Sequence, residues 1–187
     1  METHVSRKVP GEVSRIVLHK GAKFNFEQVV FTGRDGKELR REVVRHPGAV
    51  VILPILELPG QPQCVVFIRN FRTAIGHELW ELPAGTRETG EEPAFTAERE
   101  LIEETGYKSA TITELGRFYT SPGLSDELMY AYVAKGLVEV GQHLEADENI
   151  TVHCVPLNEA FAMIERGEVL DAKSVLTLLW ARSKGML

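Results

Sequence analysis

Between Gly85 and Tyr107 the chain reads GTRETGEEPAFTAERELIEETGY, in which four glutamates, an arginine and two glycines fit the pattern G-x5-E-x7-R-E-U-x-E-E-x-G-U, with U a bulky aliphatic residue. With each fixed residue at about 5 to 10% of ordinary composition, a chance match in a chain of this length has odds on the order of one in 10^5. On a helix, residues three and four apart share a face, so Glu100, Glu103 and Glu104 form one acidic cluster. A run of charge is usually a solvated face, where like-charged pairs cost only a few tenths of a kcal/mol, about 0.2 to 0.5 each. These glutamates, however, fall near the C-terminal end of the helix, where the macrodipole favours cations. A hard divalent cation, Mg2+ or Mn2+, answers that imbalance, because such ions take carboxylate oxygens, keep some water and accept phosphate oxygens as further ligands. The chemistry suggested is metal-assisted cleavage of a pyrophosphate.

The rest of the chain must hold this cluster in place. Its 187 residues, 43% hydrophobic and 26% charged, suit one well-cored soluble domain with at most a small appendage. The net charge of -6 argues against a nucleic-acid groove, which needs a positive field, so no nucleic-acid partner is expected. The N-terminal METHVSRKVPG has no apolar leader segment, and the most apolar stretch, Ala49 to Leu56, is too short for a membrane span and contains Pro54. A cytoplasmic protein without a membrane partner is therefore expected. Cys64 and Cys154 form no C-x-x-C pair, and buried free thiols are the expected state.

Two extended segments, Phe24 to Thr32 and Lys37 to Arg45, flank Arg34-Asp35-Gly36, whose Asp-Gly suits a hairpin turn, so a small N-terminal antiparallel sheet is expected. Strands follow at Ala49 to Leu56, Cys64 to Asn70, Ala110 to Thr120, Leu128 to Ala134 and Ile150 to Val155. A helix is expected from Pro93, suited to the first helical position, to Thr105, with Gly106 closing it in the left-handed conformation. A second helical region follows Pro156. The fold class is α/β (α+β): a mixed sheet between helices, with the small antiparallel sheet before it.

The glutamate stretch resembles a complete Nudix box, the signature of hydrolases that cleave a nucleoside diphosphate linked to another group. The resemblance holds at Gly85, Glu91, Arg99, Glu100, Leu101, Glu103, Glu104 and Gly106, and departs at Tyr107, where an aliphatic residue is usual. It implies a Nudix-type α/β/α sandwich spanning residues 47–187, preceded by an N-terminal sheet region at 1–46. It also implies Glu100 and Glu104 as principal metal ligands, Glu103 near the same cluster, and the Ala84 main-chain carbonyl as a further ligand. Gly85 and Gly106 would shape the loop and the helix end. Arg99 is expected to point to a different face from Glu103 and to orient the ligand carboxylates through Glu91 and Glu100.

Segments outside the box resemble the ADP-ribose pyrophosphatase branch. They are Ser121-Pro122-Gly123-Leu124-Ser125-Asp126-Glu127, Arg45-His46-Pro47-Gly48-Ala49, Arg69-Asn70-Phe71-Arg72, Glu78 to Gly85, and Asp171-Ala172-Lys173-Ser174. The implied substrate is ADP-ribose, cleaved to AMP and ribose 5-phosphate; a broader set of nucleoside diphosphate sugars such as GDP-mannose or ADP-glucose is the near alternative. A non-enzymatic ligand-sensing module is the distant one, disfavoured by the intact box and the lack of an appended basic segment. Arg45 and Arg72 are candidate phosphate contacts, since arginine forks onto phosphate oxygens, with a plain surface position as the alternative for each. Ser125 and Glu127 are candidate substrate contacts. Glu81 could bond a ribose, assist a metal or cap the following loop. Phe24 or Phe26 could stack on the base, core packing being the plainer role. Glu148, in an acidic loop before Ile150, matches the glutamate that in this branch helps hold metal and water; Glu103 competes with it for activating the water. The resemblance further implies a homodimer in which the N-terminal sheet reaches the partner, and a hairpin this apolar must bury one face on something.

Overall fold

The computed structural model describes residues 9–144 and 149–187. The chain divides into two compact units: the described residues through Pro47 together with Ser121–Glu127, and the remainder from Gly48 onward.

The first unit is built on a three-stranded antiparallel sheet in the order β1-β2-β3, with β1 at Glu12–Lys20, β2 at Asn25–Thr32 and β3 at Glu38–Arg45. The expected turn joins β2 to β3: Gly36 takes φ 78°, the Gly33 amide donates to the Lys37 carbonyl at 2.7 Å, and Asp35 accepts from the Lys37 amide at 3.2 Å. The sequence reading did not place β1. Its pairing with β2 slips twice, between Glu12 and Ser14 and between Val17 and His19. Such bulges break the two-residue alternation that marks a strand. Val13, Ile16, Val17 and Leu18 are about half or more exposed, whereas Val29 and Val30 of β2 are buried.

In the second unit β4 (Ala49–Leu56) is the centre: all eight of its residues are buried. Around it runs a seven-stranded mixed sheet made with β5 (Cys64–Arg72), β6 (His77–Glu81), β7 (Ala84–Thr86), β9 (Thr111–Tyr119), β10 (Leu128–Lys135) and β12 (Ile150–Pro156). The main path is β12-β5-β4-β10-β9, with β6 on β5 and β7 on β4. The β4–β10 pairing is parallel and the others antiparallel. A short ladder joins β8 (Tyr107–Lys108) to β11 (Val138–Glu139).

Helices cover both faces, which is why β4 reads as continuous apolar sequence. Val50 and Ile52 join Ala97 and Leu101 of α1 (Pro93–Thr105) in one core. Val51, Leu53 and Ile55 join Ala160 and Met163 of α2 (Leu157–Glu165) and Leu178 and Ala181 of α3 (Ala172–Ser183) in the other. The helical region expected after Pro156 is thus two helices, divided where Gly167 takes φ 72° and Asp171 caps α3 by accepting from the Ser174 amide at 3.1 Å. The expectation of buried thiols needs correction. Both cysteines are free, but Cys64 is half-buried and Cys154 is exposed, because β12 lies at an edge of the sheet; the Cys154 thiol sits 3.9 Å from the Tyr107 hydroxyl.

On β9, Gly116 makes room for Trp180 of α3: a Cβ there would run into the indole ring. Lys184 closes this corner, donating to the Leu115 carbonyl at 2.6 Å with its ammonium 4.7 Å from the Trp180 ring centre. Gly116→Ala is expected to cost about 1–3 kcal/mol by overpacking. An unchanged denaturation midpoint would show that Trp180 relocates freely.

Candidate active site

Helix α1 presents Ala97, Glu100, Leu101 and Glu104 on its buried side, the i, i+3, i+4, i+7 spacing of a core-facing stripe. Two of these positions are carboxylates, 7% and 3% exposed. Such burial is tolerable only with partners at hand. The backbone of Leu82-Pro83-Ala84-Gly85 supplies some of them: the Ala84 amide donates to Glu104 Oε2 at 2.8 Å, while the Pro83 carbonyl accepts from the Ile52 amide at 2.9 Å and ties the segment to β4. Gly85 is required here in steric terms, since a Cβ would collide with the Glu100 carboxylate. At the helix end Gly106 has φ 75° and donates to the Ile102 carbonyl, and Gln142 donates to the Glu104 carbonyl at 2.6 Å.

Arg99 gathers the other carboxylates. Its guanidinium lies 3.2 Å from Glu91 Oε1, 2.9 Å from Glu100 Oε1 and 2.8 Å from Glu103 Oε2. The expected separation of Arg99 from Glu103 was therefore wrong: residues four apart share a helix face, and the two pair directly. Burial draws the Arg99 guanidinium down, but the hydrogen bond to Glu91 and the charge of Glu100 outweigh it and hold it above its ordinary range. Burial likewise pushes the Glu91 carboxyl up, but Arg99 and the Glu88 amide hold it below the usual carboxylate range.

Four carboxylates, those of Glu91, Glu100, Glu103 and Glu104, outnumber this one guanidinium, and no basic residue stands in the last turn of α1. Among the described residues, no group of three or more His, Cys, Asp or Glu side chains forms a ready-made cage for a metal. The donor chemistry nonetheless fits a Mg2+-type ion, which is usually held by one or two carboxylates and completes its shell with water and phosphate.

A second charged group braces the same loop. Glu81, 1% exposed, accepts from Arg72 Nε at 2.6 Å and Nη2 at 2.5 Å, and from Lys173 Nζ at 2.5 Å. Burial pushes its carboxyl up, but the Arg72 hydrogen bonds and the Lys173 charge bring it below the usual range. Lys173 also lies 3.0 Å from Asp171, and Ser174 Oγ donates to Asp171 while accepting from the Leu82 amide at 2.7 Å. Asp171, Lys173 and Ser174 entered the sequence reading only as part of a resemblance. The Asp-x-x-Ser spacing of a helix cap could have flagged Asp171 and Ser174, but no local signal links Lys173 to Glu81, 92 residues away.

The second unit thus brings together Ala84, Gly85, Glu91, Arg99, Glu100, Glu103, Glu104 and Gly106, with Arg72 and Glu81 on the same loop's other flank. Arg72 keeps 41% of its side chain exposed. The remaining candidates stand in the first unit. Arg45 is held by Glu27 and Asp126, each at 2.9 Å, and Asp126 also accepts from the His46 amide. Ser125 Oγ accepts from the Glu127 amide at 3.1 Å, and Glu127 lies 3.8 Å from His46. Phe26 and Phe24 are exposed. Glu148 lies outside the described residues. A surface cavity of about 390 Å³ lined by Pro62, Gln63, Leu157, Asn158 and Phe161 contains none of these groups.

Residues 45–178 match the NUDIX domain family model. The chain is 39% identical over 155 residues to the ADP-ribose pyrophosphatase of Bacillus subtilis, covering 82% of each chain. It is 37% identical over 169 residues to the GDP-mannose pyrophosphatase of Citrobacter koseri, covering 83% of this chain and 85% of that one. A solved structure described as an ADP compounds hydrolase superposes with a TM-score of 0.77, at 23% identity and 94% coverage of both chains, and shares the fold. The mixed sheet between helices, the buried glutamate pair of α1 and these matches converge: the chain belongs to the Nudix family and is a Nudix hydrolase.

Proposed function

We propose that the protein is a Mg2+-dependent pyrophosphohydrolase that cleaves ADP-ribose to AMP and ribose 5-phosphate. The observation that carries this reading is the pair of buried carboxylates, Glu100 and Glu104, laid against the backbone of Ala84 and Gly85. Similarity to an ADP-ribose pyrophosphatase over most of the chain supports the substrate; similarity to a GDP-mannose pyrophosphatase favours, as the second reading, a broader nucleoside diphosphate sugar hydrolase.

Glu100, Glu104 and the Ala84 carbonyl would hold the cation, with Glu103 and Glu148 as further ligands; Mn2+ would suit the same donors. When bound, the divalent ion neutralises charge on the diphosphate and lowers the pKa of water. Arg99 orients Glu100 and Glu103 by direct ion pairs. Arg72 engages a phosphate oxygen, the kind of contact a planar guanidinium makes well. Water oxygen bonds to phosphorus as the bridging P–O bond breaks, and a carboxylate, Glu148 or Glu103, accepts the water's proton. Arg45, Phe26, Ser125, Glu127 and Glu81 are the further candidates for shaping the substrate site. We also assign the protein to the cytoplasm; within the described residues no helix is long and apolar enough to cross a membrane. Residues 1–46 serve as the dimerising region of a homodimer and 47–187 as the hydrolase domain; the exposed Val13, Ile16, Val17 and Leu18 of β1 support a covered face.

Incubation with Mg2+ and ADP-ribose, GDP-mannose, ADP-glucose or diadenosine polyphosphates, with coupled phosphate release, should give the highest kcat/KM on ADP-ribose. Preference for GDP-mannose would favour the broader reading, and binding without turnover a ligand-sensing module. Glu104→Gln should lower activity at saturating Mg2+ by more than about tenfold, about 1.4 kcal/mol; a smaller loss is incompatible with a principal metal ligand. Light scattering should give the mass of a dimer, and a monomeric mass would remove the dimer proposal.

A further inference from the structure

The first turn of α3 carries a cation that the proposed reaction does not use. Lys173 is 12% exposed and lies between Glu81 and Asp171, at 2.5 and 3.0 Å. Its neighbour Ser174, fully buried, accepts from the Leu82 amide, so this turn is joined to the segment leading into β7 on two sides: by charge at Glu81 and by hydrogen bond at Leu82.

Glu81 receives both prongs of the Arg72 fork, which would satisfy its carboxylate by itself. The second cation on the same carboxylate therefore needs a reason. With Arg72 as sole partner, the buried carboxylate would hold the guanidinium as its own counterion, and the pair would present little net charge to an anion. With Lys173 sharing the load, Arg72 stays fixed in geometry by two hydrogen bonds while retaining attraction for an outside anion.

We propose that Lys173 is a positioning residue for substrate binding, acting through Glu81 to set the orientation and effective charge of Arg72 toward a diphosphate. Lys173 itself contacts no substrate. This deepens the hydrolase reading and rests on it for the identity of the anion. The fixed Arg72–Glu81 geometry is a property of the free protein and can be read without any substrate.

The test uses the full chain with Lys173→Met, Lys173→Gln and Lys173→Arg. Lys173→Met and Lys173→Gln are expected to raise KM for the best substrate of the panel by about tenfold or more with kcat within about threefold, and Lys173→Arg to recover KM to within about threefold. A purely structural role would instead lower the active fraction, and hence kcat, without moving KM. In parallel, the Arg72 Nε–H resonance, assigned by its loss in Arg72→Lys, should be shifted in the wild type and exchange more slowly in Lys173→Gln, where Arg72 becomes the sole counterion of Glu81. If no nucleoside diphosphate sugar is turned over by the wild type, the hydrolase reading fails and this resonance decides alone. An unchanged KM, or unchanged Arg72 exchange in the folded variants, overturns the proposal. Should Lys173→Met not fold, Lys173→Gln, which keeps a donor but no charge, carries the same criteria.

Discussion

The second unit keeps two carboxylates on the core-facing side of a helix inside the protein. Glu100 and Glu104 occupy positions where leucine or alanine would be the ordinary choice, as Ala97 and Leu101 on the same stripe illustrate. An ionised group in such a place must be compensated locally. The compensation comes from the Ala84 amide, the Arg99 guanidinium and the absence of a side chain at Gly85. Those needs explain why β7, the strand that passes beside the helix, has a glycine at Gly85, where any side chain would collide with Glu100. They also explain why the segment leading into it is tied down elsewhere, at Pro83 to β4 and at Leu82 to α3.

Charge is distributed unequally between the two flanks of that segment. On the α1 flank the carboxylates of Glu91, Glu100 and Glu103 share the Arg99 guanidinium, and Glu104 accepts from the Ala84 amide, donor chemistry that suits a divalent cation. On the β6 flank Glu81 and Asp171 are balanced by Arg72 and Lys173. A polyanionic ligand and a divalent cation have matching requirements, the cation for the first flank and guanidinium contact for the second. In the first unit a comparable balance operates on a different scale: Arg45 joins Glu27 to Asp126 and so fastens the Ser121–Glu127 segment to the end of β3.

Much of this was legible in the sequence because the relevant contacts are local or periodic. The bounds of α1 follow from Pro93 and Gly106, the β2–β3 turn from Asp35-Gly36, and β4 from an unbroken apolar run. What escaped was set by distance or irregularity. The bulges of β1 erase its alternation, β6 and β7 are too short and too interrupted by Pro83 to show a period, and the Lys173–Glu81 contact spans the chain. Arg99 was misread for a different reason: its helical spacing to Glu103 was available, but the face was assigned from its other partners. Cys154 was misjudged because residue type predicts average burial, whereas edge position decides it for a given strand.

The separations within this network also bear on the order in which it can assemble. Ala84 and Glu104 are 20 residues apart, so their contact closes a short loop, whereas Lys173 and Glu81 are 92 apart. Loop-closure entropy grows with separation, and contacts distant in sequence form late unless something else has already brought them near. During synthesis the helix bearing the glutamates can dock on its loop before α3 has left the ribosome, but Glu81 acquires its second counter-charge, Lys173, only when the last helix packs. A chain released short of α3 would therefore hold the carboxylates without the brace on their far side, and the final step of folding would also be the step that completes the loop's support.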